Sequence, residues 1–258
     1  MGGRSPVVTA LGEPAWAALV NQAFNLEAKV LDGLSPFLIL APHPDDETLG
    51  CGGLIARASK LGLKPRVVYL TDGEGSHKGS ATWPPRRLAR ARRQEALAAL
   101  DILGVPPDDV HFVGWPDGAP LPRDQAAYAD TLRDLREWSD RFKPWSVWAP
   151  WRHEQHCDHV AANLLASDYI ASIDTREPVK MEYLVWGWAD PDLAHRHGAK
   201  GVWGLMCGDE IARRRRALAC HETQMTPLIQ DAAESFRVSP QLAALTERPV
   251  EIFLECRP

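Results

Sequence analysis

Short apolar runs alternate along the chain with longer segments in which apolar residues recur every three or four positions. The run at 36–42 (PFLILAP) is bounded by prolines and too short for a typical helix, so it predicts a buried strand. Further strands are predicted near 65–75, 111–118, 145–149, 181–188 and 250–255. Helical spacing predicts helices near 49–62, 85–103, 126–141, from 160 onward and near 209–221. This alternation is typical of a parallel sheet with right-handed crossovers.

The pattern therefore predicts an α/β protein with a Rossmann-like three-layer fold and a mostly parallel sheet. We expect one domain over residues 36–258, preceded by an N-terminal helical extension over residues 1–35, because no linker-like change in composition occurs along the chain. Ligands of open parallel sheets bind beyond the carboxyl ends of the strands, so a functional site is expected at that edge.

Composition narrows the class of protein. The 258 residues carry a formal net charge of −5, with 45% hydrophobic and 24% charged residues, as in soluble globular proteins. The acidic balance argues against a nucleic-acid partner, and no apolar run long enough to span a membrane is present. Five scattered cysteines and no recognisable leader indicate a reducing, cytoplasmic setting. Self-association remains open.

Two loops concentrate metal-binding side chains. His43, Asp45, Asp46 and Glu47 directly follow the first predicted strand, and residues 153–159 (HEQHCDH) follow a later one. In a parallel sheet both loops project from the same edge and can meet. Two histidines and one carboxylate suit Zn²⁺ and leave a coordination position for water, although Fe²⁺ or another divalent metal can use the same ligands.

These segments resemble the LmbE/PIG-L family of zinc-dependent N-deacetylases. The resemblance is carried by 43–47 (HPDDE), 49–53 (LGCGG), 70–74 (LTDGE), 116–118 (PDG), 156–159 (HCDH) and 221–224 (HETQ). It implies that His43, Asp46 and His159 bind the metal and that Asp45 is the general base. It further implies that His156, oriented by Asp158, acts as electrophile or acid.

The resemblance also implies the reaction and the substrate class. The expected activity is hydrolysis of a linear amide, with a zinc-bound water removing an N-acetyl or longer N-acyl group from an N-acylated amino sugar or glycoconjugate. The positions that match the family's pocket rim, and hence substrate-binding candidates, are Asp72, Glu74, Arg92 and Asp117. For Arg92, a helix salt bridge with Glu95 is an equally good interpretation.

Two residues depart from the family pattern, and other functions stay open. Cys157 replaces a common proline, and we interpret it as a small buried filler. Glu154 stands where some members have tyrosine or aspartate. The alternatives are a metallophosphoesterase, a non-catalytic binding protein of the same fold and, on the weak evidence of Gly50, Gly52 and Gly53, a nucleotide-binding protein. The 10 tryptophans could form a ligand wall, although core packing or an oligomer interface explains them better.

Overall fold

The computed structural model describes residues 9–174 and 176–256. The strands are β1 (Phe24–Asn25), β2 (Phe37–Ala41), β3 (Arg66–Thr71), β4 (His77–Lys78), β5 (Val110–Trp115), β6 (Ser146–Pro150), β7 (Val179–Tyr183), β8 (Gly201–Met206), β9 (Glu234–Ser235) and β10 (Val250–Cys256). The α-helices are α1 (Glu13–Gln22), α2 (Ala28–Leu34), α3 (Asp46–Lys60), α4 (Pro85–Leu103), α5 (Ala126–Ser139), α6 (Cys157–Ala171), α7 (Leu193–Arg196), α8 (Ile211–Ala219), α9 (Glu222–Met225) and α10 (Pro240–Ala243).

Eight of these strands form one sheet in the order β1-β8-β10-β7-β6-β2-β3-β5. The strands from β7 to β5 pair in parallel, whereas β10 runs antiparallel to both of its neighbours. Strands β4 and β9 form a separate antiparallel pair. The predicted mostly parallel α/β fold is thus confirmed.

The central strands are buried on both faces, which explains their unbroken apolar runs. In β2, Phe37, Ile39 and Ala41 pack into one core, whereas Leu38 and Leu40 pack into a second core on the other face. Two cores separated by a sheet are the arrangement of a three-layer fold.

The sequence patterns located most elements but missed some. Helix α4 coincides with its predicted range, whereas α6 begins at Cys157 rather than near 160. The reason is local, since the His156 side chain accepts a hydrogen bond from the Asp158 amide and caps the helix. Strand β8 was not predicted. It holds its place between β1 and β10 by backbone pairing.

The N-terminal residues that the structure describes contain α1, α2 and β1. Strand β1 pairs in parallel with β8 and so joins the main sheet. The division at residue 35 stays a prediction. Among the described residues no helix has both the length and the apolar character needed to cross a bilayer.

The glycines of α3 serve close packing. A Cβ at Gly50 would lie 2.3 Å from the ring of Tyr183, and a Cβ at Gly53 would lie 2.8 Å from Cys207 Cβ. The glycine set that suggested a nucleotide site therefore has a structural explanation, because it brings α3 against its neighbours.

Candidate active site

The two histidine-rich loops meet at the carboxyl edge of the sheet, as their positions after β2 and β6 predict. His43 lies between β2 and α3, while His156 and His159 lie at the start of α6. Asp158 Oδ2 is 3.0 Å from His43 Nε2, although the two residues are 115 positions apart. Parallel strands thus bring distant motifs into one cluster.

The expected metal ligands lie next to one another. Asp46 Oδ2 lies 3.0 Å from His43 Nδ1 and 3.2 Å from His159 Nε2. The His159 ring is fully buried, and neither of its nitrogens has a well-formed hydrogen bond to any residue that the structure describes. Buried polar atoms are rarely left unpaired, so the His159 Nε2, which faces Asp46, fits the role of a metal ligand. The nitrogens of His43, His156 and His159 also lie within 4.8 Å of one another.

His43 is surrounded by further carboxylates. Its Nε2 lies 3.0 Å from Asp158 Oδ2 and 3.2 Å from Asp117 Oδ1. Burial alone would lower the pKa of His43, but its hydrogen bonds to the carboxylates of Asp117, Asp158 and Asp46 raise that pKa well above its usual value. The negative field at this edge favours a cation.

The contact of Asp158 differs from the expected one. Its Oδ2 lies 3.8 Å from His156 Nδ1, whereas it accepts a hydrogen bond from Gly118 N at 2.8 Å and contacts His43. In this structure Asp158 therefore orients His43, and the expected side-chain hydrogen bond from Asp158 to His156 is not formed.

Asp45 sits beside the ligand cluster in a constrained backbone conformation. Its φ of 126° lies in a region that non-glycine residues rarely adopt. Its amide donates to Glu47 Oε2 at 3.0 Å, and its carboxylate lies 3.3 Å from Arg92 Nη2. Burial raises the pKa of Asp45 to about 6, although Arg92 acts in the opposite direction. Asp45 lines the pocket together with Arg92.

His156 faces the same pocket from the start of α6. Burial, together with nearby His43 and His159, lowers the pKa of His156. Its Nδ1 accepts the Asp158 amide hydrogen at 3.3 Å. The neutral ring then carries its proton on Nε2.

The substrate-binding candidates divide into two pairs. Arg92 and Asp117 line a pocket of about 360 Å³ above the cluster, and Asp72 and Glu74 do not. Asp72 pairs with Arg93 Nε at 2.6 Å, and Glu74 accepts from the Asp117 amide at 3.2 Å.

Arg92 is almost fully buried and contacts two loops of the candidate site. Its guanidinium donates to Gly73 O at 2.8 Å and to Pro44 O at 2.6 Å. The alternative partner, Glu95, instead accepts two hydrogen bonds from Thr223. The helix salt bridge considered for Arg92 is therefore not the contact that forms.

In the sequence Glu154 stands out only as a departure from the family pattern, but in the structure its carboxylate contacts several parts of the site. The buried Glu154 carboxylate accepts hydrogen bonds from the amides of Val185, Trp186 and Gly187 at 2.8–2.9 Å. Its Oε2 also lies 3.5 Å from His159 Nδ1. The available signal was an acidic residue four positions beyond the end of an apolar strand and two positions before the HCDH motif.

The interpretation of Cys157 as a buried filler is wrong. This cysteine is exposed, and its Sγ lies 3.7 Å from Gly118 O. The side chain of the first residue of α6 points outward because its neighbours Asp158 and His159 occupy the buried face.

Comparisons with known proteins identify a matching family and similar sequences. The model of the PIG-L family, described as GlcNAc-PI de-N-acetylase, matches residues 38–170, which is more than half of the chain. Diacetylchitobiose deacetylase of Thermococcus kodakarensis is 28% identical over 158 residues, covering 59% of this chain and 52% of that protein.

A longer alignment joins the chain to a Nocardia farcinica protein. This 1D-myo-inositol 2-acetamido-2-deoxy-alpha-D-glucopyranoside deacetylase is 26% identical over 259 residues, covering 80% of this chain and 85% of the relative. For the first relatives found, however, the chain spans about half of their length or less.

The fold also occurs in the solved structure of GalB, the 4-carboxy-2-hydroxymuconate hydratase of Pseudomonas putida. The TM-score is 0.62 at 20% identity, with 86% of this chain and 95% of that chain covered. Similarity at this level shows a common fold alone. Because the family model matches more than half of the chain, the chain belongs to the PIG-L family.

Proposed function

We propose that this protein is a metal-dependent amide hydrolase that removes an N-acyl group from an amino-sugar-containing small molecule. The observation that carries the proposal is the arrangement around Asp46, whose carboxylate lies between His43 and His159 while Asp45 lines the pocket beside it. The names of the relatives support the same reaction, since they include deacetylases of acetamido sugars.

In this proposal His43, Asp46 and His159 hold a divalent metal, with zinc the ion best suited to the ligand set. When bound, such an ion supplies Lewis-acid chemistry, by polarising the amide carbonyl and activating water. Glu154 and Asp158 orient His159 and His43, respectively. Outer partners of this kind fix the ring orientation of ligating histidines.

The chain's own residues then move the protons. Asp45, held by the Glu47 contact and by Arg92, takes a proton from the attacking water. His156 donates a hydrogen bond from Nε2–H to the carbonyl oxygen as negative charge develops there and keeps its proton, because its Nδ1 accepts the Asp158 amide hydrogen. Asp45 then transfers the proton that it took from water to the leaving nitrogen, and the C–N bond breaks.

Replacing the base tests this division of roles. Asp45→Asn should retain metal but lower amine release from N-acylglucosamine derivatives by about 100-fold or more, because general bases contribute about 10² to 10⁴ in rate. The measurement combines metal analysis of protein purified without chelator with an amine-release assay.

Asp130→Asn is the matched control, since Asp130 lies on the exposed face of α5 and pairs only with Arg133 among the described residues. We expect it to retain wild-type turnover. Unchanged turnover in Asp45→Asn would remove this residue from the role of base. Cleavage of phosphate esters without cleavage of amides would favour the phosphoesterase alternative.

A further inference from the structure

The pocket above the candidate metal site has two chemically different sides. One side is polar and includes Arg92, Asp117 and His156. The other side is formed by five apolar residues, which we call the apolar wall: Leu49, Val185, Trp186, Phe236 and Leu242. A small-molecule site commonly combines apolar lining with a few oriented polar groups.

The apolar wall is held in place by contacts outside the reaction centre. The Trp186 amide donates to Glu154, and the Phe236 amide donates to Ser76 O at 2.8 Å. The Trp186 and Phe236 rings meet edge to face, with centroids 5.6 Å apart. These contacts make the wall a preformed surface.

Phe236 is partly open to solvent. It is 37% exposed, whereas Leu49, Val185 and Leu242 are at most 4% exposed. When an apolar group covers an exposed aromatic ring at the mouth of a pocket, the buried apolar area favours binding. The nearby Lys78 and Glu234 side chains lie 4.0 Å apart, so their opposite charges give no preference for a charged group.

Most of the wall belongs to the C-terminal part of the chain. The family match ends at residue 170, while Val185, Trp186, Phe236 and Leu242 all lie after it. The residues proposed for the chemistry lie within the matched region. The wall can therefore set specificity without altering the catalytic groups.

We infer that the apolar wall binds the acyl part of the substrate and that the preferred acyl group is an alkyl or arylalkyl chain longer than acetyl. This inference rests on the proposed amide hydrolysis. An N-acyl amino sugar has its hydroxyl groups on the amine side of the amide and its apolar atoms on the acyl side. Asp117, on the polar side of the pocket, suits the hydroxyl groups, which leaves the wall for the acyl chain.

A substrate series with a common product tests the inference. N-acetyl-, N-butanoyl- and N-octanoylglucosamine all release glucosamine, so one amine assay compares them directly. We expect kcat/KM to rise at least about tenfold from acetyl to octanoyl, since a single methylene that packs well in an apolar pocket is worth about tenfold in kcat/KM.

Variants locate the effect on the wall. Phe236→Ala and Trp186→Ala should abolish most of the increase in kcat/KM that the octanoyl substrate shows over the acetyl substrate. Trp186→Phe should restore part of it, which separates loss of contact from loss of folding. Phe24→Ala is the matched control, because Phe24 is 65% exposed on the outer strand β1. It should keep the full gain.

A binding measurement separates this inference from the proposed function. Calorimetric titration of Asp45→Asn with N-octanoyl- and N-acetylglucosamine requires no turnover. If the octanoyl compound binds more tightly and this difference depends on Phe236, the result supports acyl binding by the apolar wall even if no amide is cleaved. Equal binding of the two compounds, or a gain that survives Phe236→Ala and Trp186→Ala, would overturn the inference. A gain found only with an octyl glycoside of N-acetylglucosamine would also overturn it, because the wall would then bind the other side of the substrate.

Discussion

At the scale of single residues, Glu154 joins the candidate metal site to the apolar wall. Its Oε1 accepts the amides of Val185 and Gly187, its Oε2 accepts the amide of Trp186, and His159 lies against it. A charged acceptor buried among three donors stabilises the loop strongly, because each of these amides would otherwise be unpaired.

Replacing Glu154 should therefore destabilise the protein. We expect Glu154→Ala to lower the free energy of unfolding by about 2 kcal/mol or more, since buried amides lose a charged acceptor. Glu154→Gln should cost less, because its oxygen still accepts two of the amides while its amide group faces the third. Urea denaturation measures the effect. Glu234→Ala, at an exposed position on β9, is the control and should be neutral. Equal stability of all three variants would contradict this account.

At the scale of elements, the position of α3 depends on glycine. Its first turn carries Asp46 and its N-terminus carries Asp45, so a displaced helix would move both carboxylates. Gly50 allows the helix to approach β7, where the Tyr183 ring occupies the space that a Cβ would need. The Tyr183 hydroxyl in turn donates to Leu40 O at 2.8 Å, which ties β7 to β2.

A pair of glycine substitutions tests this packing. Gly50→Ala should lower the free energy of unfolding by about 1–3 kcal/mol, because the Tyr183 ring must shift in a filled core. Gly33→Ala in α2 should instead raise it by about 0.5–1 kcal/mol, because no atom lies within 4 Å of the new Cβ and alanine favours the helix. Thermal and urea unfolding measure both variants. Similar effects of the two changes would exclude close packing as the reason for Gly50.

At the scale of the whole molecule, the candidate ligands connect elements that are far apart in the chain. His43 and Asp46 follow β2, and His159 lies in the first turn of α6 beyond β6. A metal that binds all three in the folded state alone shifts the folding equilibrium towards that state.

Zinc should accordingly raise the melting temperature of chelator-treated protein. At a free zinc concentration 100 times the Kd, the added stability is about 2.7 kcal/mol. His159→Ala should lose this increase, with Asp46→Asn as a second variant if the first does not fold. His111→Ala is the control, because His111 stacks on Trp138 away from the cluster. An unchanged zinc response in His159→Ala would exclude it as a ligand.

The sequence by itself determined the class of fold and the chemical content of the site. Runs such as 37–41 are apolar at every position because both faces of the strand are buried, so the pattern alone marks a central strand of a parallel sheet. The motifs 43–47 and 156–159 could be placed at one edge for the same topological reason. They are local in the chain, and their residue types predict metal chemistry without coordinates.

Only the tertiary structure decided which partners these residues have. Asp158 contacts His43 rather than His156, Arg92 bonds two loop carbonyls rather than Glu95, and Cys157 points outward. The apolar wall likewise combines residues 49, 185, 186, 236 and 242. Contacts between distant segments depend on how helices and loops pack on the sheet, and this information is not contained in the spacing of any single motif.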